Sequence, residues 1–109
     1  MENEGDYSRE NEIRLLNSGQ SESATQALLA ITFNDTEWKW IQDLCIDLLN
    51  HNDKNIERLA VICLGHVARI HKKMEKAKVF DILLTKKKLN PELEGSIEDT
   101  VNDIQMFVI

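Results

Sequence analysis

Apolar stripes of helical period, separated by short polar punctuation, run the length of this chain. NIERLAVICLGHVARIH, residues 55–71, sets the pattern, with apolar residues returning every three or four positions and so gathering on one face of a helix. RENEIRLLNSG predicts a shorter helix over about residues 8–18, closed by Gly19, and Ser21 or Ser23 opens a second through ATQALLAITF to about residue 33. NDTEW reads as a capping box, with Asn34 as N-cap and Glu37 three positions on, starting a third helix that runs to about Asn50. Asp53 caps the fourth, about 54–71, and a fifth covers about 74–86. Asn90 followed by Pro91 at the first helical position opens the sixth, through residue 107. No window sustains an alternation of β-branched residues, so the expected class is all-α, six helices forming three antiparallel hairpins.

The stripes repeat. Moving the fourth helix forward by 37 residues lays Ile56 on Leu93, Ala60 on Ile97, Cys63 on Thr100, Leu64 on Val101 and Val67 on Ile104. Moving it back by 36 lays Ala60 on Ala24, Cys63 on Ala27, Leu64 on Leu28 and Val67 on Ile31. A helix pair recurring at that period is the mark of an α-solenoid, in which each hairpin buries its stripe against the next.

Length and charge refine this. A chain of 109 residues makes one domain, able to bury roughly two thirds of its unfolded surface and to fold without metal or disulfide. Cys45 and Cys63 fall on apolar helical faces and read as small buried hydrophobes. MENEGDYSRENE is acidic and has no apolar core, unlike a signal peptide, and no window is long enough to span a bilayer, so the expected location is cytoplasmic. The net charge of −6 is segregated: residues 1–57 hold 12 acids and 4 bases, 58–88 hold 2 acids and 9 bases, and 89–109 hold 5 acids and no base. The lysines from Lys72 to Lys88 have no interleaved aromatics, so they read as helix-end and surface charges and not as a nucleic-acid site.

Asp53, Ile56, Ala60, Cys63, Leu64 and Gly65 resemble the second helix of a HEAT repeat, with a turn aspartate, an aliphatic, a small residue four on, and a small-Leu-Gly triplet. Glu57 stands where the family's arginine usually follows the aliphatic, and Arg58 comes one position later, a departure that touches the Asp–Arg link between repeats. WKWIQDLCIDLL, LGHVARIHKKM and IEDTVNDIQMF are similar to small bacterial HEAT-like proteins that include immunity proteins of contact-dependent growth inhibition and other polymorphic toxin systems, over about residues 27–108. A flexible acidic N-terminus is expected over residues 1–7 and a single HEAT-like helical domain over 8–109, and the resemblance implies a protein that binds the C-terminal domain of its cognate toxin in a 1:1 complex. A nuclease toxin is the expected partner, since enzymes that handle phosphate backbones tend to be basic and this chain has acidic ends. No cofactor, metal, membrane or direct nucleic-acid contact is expected. A HEAT-like adaptor that joins two proteins without neutralising a toxin is the alternative.

The residues that the core does not need are the candidates for binding. With Trp38, Ile41, Cys45, Leu48 and Leu49 as the buried stripe of the third helix, Trp40, Asp43 and Asp47 share an adjoining face, an aromatic between carboxylates suited to a basic partner. The equal alternative is that Trp40 packs against the preceding hairpin. His66 and Arg69 share a stripe that the 37-residue shift brings beside Asp99 and Asp103, where they are expected to pair across adjacent helices, with His66 held protonated. Glu98 and Asp99 offer a second acidic face. Cys63, His66 and His71 make a poor metal set because they do not share a helix face. With no phosphate loop, nucleophile elbow or ligand cluster in the sequence, the expectation is a binding protein and not an enzyme.

Overall fold

The computed structural model describes residues 7–109, all of whose regular structure is helical. Six α-helices follow one another among these residues: α1 (Arg9–Leu16), α2 (Ser21–Asn34), α3 (Trp38–Leu48), α4 (Lys54–His71), α5 (Lys76–Leu89) and α6 (Glu94–Phe107), with a 3-10 turn at Pro91–Leu93 leading into the last. Of the acidic N-terminal segment assigned to residues 1–7, all but Tyr7 lies outside the described residues. Tyr7 itself is tied down, its hydroxyl donating to Asp35 Oδ2 at 2.6 Å.

Local chemistry sets the ends. Ser8 Oγ accepts from Asn11 N at the start of α1, and Gly19 supplies the positive φ of 84° that turns the chain into α2. Asp53 caps α4 as expected, its Oδ1 accepting from Asn55 N at 2.8 Å. The capping box at Asn34 and Glu37 does not form. Asn34 closes α2, donating from Nδ2 to Ala30 O, and Asp35 takes over the turn by accepting from Glu37 N at 3.1 Å, so α3 starts at Trp38. Asn90 holds the N-cap position before Pro91 as expected, but of the 3-10 turn, and without a side-chain cap bond: its Nδ2 donates to Glu57 Oε2 at 2.9 Å. At the end of α4, Lys72 takes the left-handed conformation at φ 56°, a position with no glycine to announce it.

Helices α1 and α2, α3 and α4, and α5 and α6 pack as successive pairs, and α4 sits at the centre, against α2 on one side and α6 on the other. The result is a slab of 43 × 31 × 18 Å, about two helices thick. Of the apolar-stripe positions aligned by the two shifts, only Val101 escapes burial; Ala24, Ala27, Leu28, Ile31, Ile56, Ala60, Cys63, Leu64, Val67, Leu93, Ile97, Thr100 and Ile104 are all inside. Gly65 explains how closely α4 and α6 approach, since a Cβ there would lie 3.1 Å from Asp103 Oδ2 and 3.7 Å from Thr100 Cα. Thr100 locks the same seam, its hydroxyl donating to Val61 O at 2.9 Å. In α3 the stripe is narrower than the pattern indicated. Ile41, Cys45 and Leu49 are buried, Trp38 and Leu48 are half-buried, and Gln42 is fully inside.

Candidate functional site

The sequence candidates divide between two faces. His66, Arg69 and Asp103 come together on the outward side of the α2–α4–α6 layer. Arg69 Nη1 donates to Asp103 Oδ2 at 2.5 Å, and Arg69 Nη2 donates to His66 Nδ1. A guanidinium has only donors, so in this contact Nδ1 stands as the acceptor. Burial, then the neighbouring Arg69 charge, lower the His66 pKa, and Asp103 offsets them only in part. The expected raised pKa is therefore reversed: Arg69, and not His66, takes the carboxylate. The His66 ring is also covered by Phe33 from α2, with centroids 4.9 Å apart.

Four large apolar side chains near this cluster are exposed. Phe33 is 53% exposed, Met106 70% and Ile70 44%, and Ile62 lies on α4 one turn before His66. Asp99, one turn before Asp103 on α6, is exposed and has no side-chain partner among the described residues. Glu98 does not join it; it turns toward α5, where Lys87 Nζ lies 3.0 Å away.

Trp40, Asp43 and Asp47 occupy the other layer, and the first two are already engaged. The Arg9 guanidinium lies 4.0 Å above the Trp40 ring, while the same guanidinium binds Asp35 through Nε at 2.9 Å and Nη2 at 2.7 Å. The expected alternative, Trp40 packed against the preceding hairpin, is the arrangement found. Bonds from Arg9 first, then from Tyr7 and Glu37 N, hold the nearly buried Asp35 carboxylate far below its ordinary pKa against the opposing effect of burial. Asp43 sits in a cluster built on the buried Gln42. Gln42 Nε2 donates to Glu75 Oε1 at 2.7 Å and to Asp43 Oδ1 at 3.1 Å, and its Oε1 accepts from Glu75 N at 2.8 Å. Lys39 Nζ bridges Asp43 at 3.0 Å and Glu75 at 3.1 Å, and Lys78 stands 3.8 and 3.6 Å from the same two. Burial would raise the Asp43 pKa, but Lys39 and Gln42 outweigh it and leave it lowered. Only Asp47 of the three faces solvent without a partner among the described residues.

Two further groups were not among the binding candidates read from the sequence. Glu57, buried at the position of the missing arginine, accepts from Lys86 Nζ at 2.7 Å as well as from Asn90, so a carboxylate–lysine bond joins α4 to α5 there. Phe33 was readable, because it lies off the Ala24–Ala27–Leu28–Ile31 stripe and so had to face outward. The thiols of Cys45 and Cys63 meet in the core, and that contact together with burial pushes the Cys45 thiol up, far from the condition of a nucleophile. Among the described residues no group of three or more His, Cys, Asp or Glu side chains is placed to hold a metal ion, and no helix is long and apolar enough to cross a membrane. Comparison with family models, curated proteins and solved structures returns no match to this chain.

Proposed function

We propose that this chain is a protein-binding module of HEAT-like hairpins whose recognition surface is the outward face of α2, α4 and α6, and that it serves as a cytoplasmic immunity protein, blocking the C-terminal domain of a cognate toxin in a 1:1 complex without catalysis. The observation that carries the binding reading is the exposure of Phe33, Ile62, Ile70 and Met106 around the Arg69–Asp103 pair. Large apolar side chains gathered beside a fixed charge pair are what a protein interface needs, with desolvated area for affinity and charges for orientation. The immunity role rests on the sequence resemblance, and a basic nuclease remains the proposed partner because Asp47 and Asp99, one on each layer, present carboxylates with no side-chain partner among the described residues.

Co-expression with the polypeptide encoded immediately upstream of this gene tests the role. The expected result is that the two co-purify and that this chain restores growth to cells poisoned by the upstream C-terminal domain. Copurification without rescue favours the adaptor reading, and failure of both removes neutralisation.

A further inference from the structure

Between α2 and α4, on the same outward side, runs an open groove of about 600 Å³. Its apolar floor is Leu29 from α2 with Leu59 and Ile62 from α4, and Ser21, Thr25 and Asn55 lie along it. At one end Asn55 Nδ2 donates to Ser21 Oγ at 3.3 Å. From Ser21 to Leu29 the α2 backbone rises about 12 Å, the length of a little over two helical turns.

The two rims are opposite in charge. Glu22 stands on the α2 rim and Arg58 on the α4 rim; both are exposed, and neither has a charged partner among the described residues. Of the twelve other bases seven are paired with carboxylates, Arg9 with Asp35, Lys39 and Lys78 with Asp43 and Glu75, Lys54 with Glu92, Arg69 with Asp103, Lys86 with Glu57 and Lys87 with Glu98. An apolar floor of about two helical turns and oppositely charged rims together define an occupant. We infer that the α2–α4 groove seats about two turns of one amphipathic helix from the partner protein, its apolar stripe on Leu29, Leu59 and Ile62, its basic flank on Glu22 and its acidic flank on Arg58.

Helix-in-groove recognition of this kind reads an apolar stripe at i, i+3, i+7 and uses flanking charges for selection. A helix acidic on both flanks would satisfy Arg58 and repel Glu22; one basic on both would do the reverse. Only a helix with one flank of each sign meets both rims. This inference rests on the protein-binding reading, but it concerns a seat and not a toxin.

The test uses the whole chain and a fluorescein-labelled, stapled helical peptide with leucines at i, i+3, i+7, glutamates along one flank and lysines along the other, followed by fluorescence anisotropy. Wild type should bind it saturably. Arg58→Glu and Glu22→Arg, each of which leaves both rims alike, should each weaken binding by about fivefold. The double reversal, E22R with R58E, should restore it, because the peptide then seats in the opposite direction with its flanks exchanged. Ile62→Asp should weaken binding by at least about tenfold through loss of the apolar floor. Circular dichroism confirms that each variant is folded, which the exposure of all three positions makes the expected result. Absence of saturable binding to wild type, single reversals without effect, or a double reversal that does not recover would each overturn the proposal. These outcomes leave growth rescue untouched, and loss of rescue in cells leaves the peptide result untouched, so the two readings fail separately.

Discussion

The two layers of the slab are joined by different physics. Where α4 meets α6 the seam is steric, with Gly65 letting Asp103 and Thr100 come within ordinary contact of its backbone and Thr100 bonding directly to Val61 O. Where α1, α3 and the start of α5 meet, the seams are polar: Arg9 spans Asp35 and Trp40, and Gln42 gathers Asp43, Glu75 and Lys39. One hairpin pattern therefore yields a layer sensitive to volume and a layer sensitive to charge and pH.

The largest expected effect belongs to the steric seam. Gly65→Leu drives a side chain into Asp103 and Thr100, and overpacking of this kind costs about 2–3 kcal/mol. Thermal unfolding should show a loss of that order, while Gly65→Ala, whose Cβ meets only the movable Asp103 carboxylate closely, should lose less. Melting of Gly65→Leu at the wild-type temperature would mean that α4 and α6 are not in close contact.

The polar layer responds to other changes. Asp35→Asn removes the charge that receives Arg9 and Tyr7, and loss of a charge-assisted network at a nearly buried carboxylate should cost about 2 kcal/mol. Because the folded pKa of Asp35 is lowered, its contribution is complete above the unfolded value of about 4 and is lost as pH falls toward the folded one. The wild type should therefore lose stability below about pH 4, and Asp35→Asn should lose less over the same range. Parallel acid unfolding curves for the two would place the network outside the stability of the fold.

Gln42→Leu probes the second polar seam at a smaller scale. The substitution keeps the volume and strands Glu75 N and the two carboxylates, which are partly exposed and can rehydrate, so a loss of about 1 kcal/mol is expected from denaturant midpoints. A gain in stability would show that the buried amide is a net cost and that the seam holds by apolar contact alone.

The difference between the layers also decides what was legible in the sequence. The steric layer was readable because burial repeats at helical period, and the shifts that align Ala60 with Ala24 and Ile97 identified its stripe residue by residue. All six helices were placed, with ends that moved by a few residues where a side chain had a better use. Asn34 bonds one turn back to Ala30 O and Asp35 bonds two residues on to Glu37 N, local alternatives that compete with the capping box, while Asn90 reaches Glu57 across 33 residues. The polar layer was opaque for the same reason on a larger scale. Gln42 with Glu75 and Arg9 with Asp35 are separated by 33 and 26 residues, and no periodicity connects a glutamine to a carboxylate in another hairpin. At the candidate site the shift brought Arg69 beside Asp103 correctly. It had no means of deciding which of His66 and Arg69 would take the acid, because that depends on side-chain reach and burial.

His66 gives the smallest effect and the sharpest reading of the outward face. The charged groups facing it are Arg69 on its own helix and Asp103 on α6, with the uncharged Phe33 ring from α2. Burial and Arg69 lower its pKa and Asp103 raises it, so an NMR titration of wild type should find His66 below the unperturbed value of about 6.5. A folded pKa below the unfolded one means that the associated stability is present above the unfolded value and declines as pH falls through the folded one. Substitutions separate the contributions. Arg69→Gln removes the repelling charge and frees Asp103, so the His66 pKa should rise. Asp103→Asn removes the only attraction and should lower it further. Should Arg69→Gln leave the titration unmoved, or Asp103→Asn raise it, the imidazole does not sit against the guanidinium, and the face offered to a partner is not the one bounded by Phe33, His66 and Arg69.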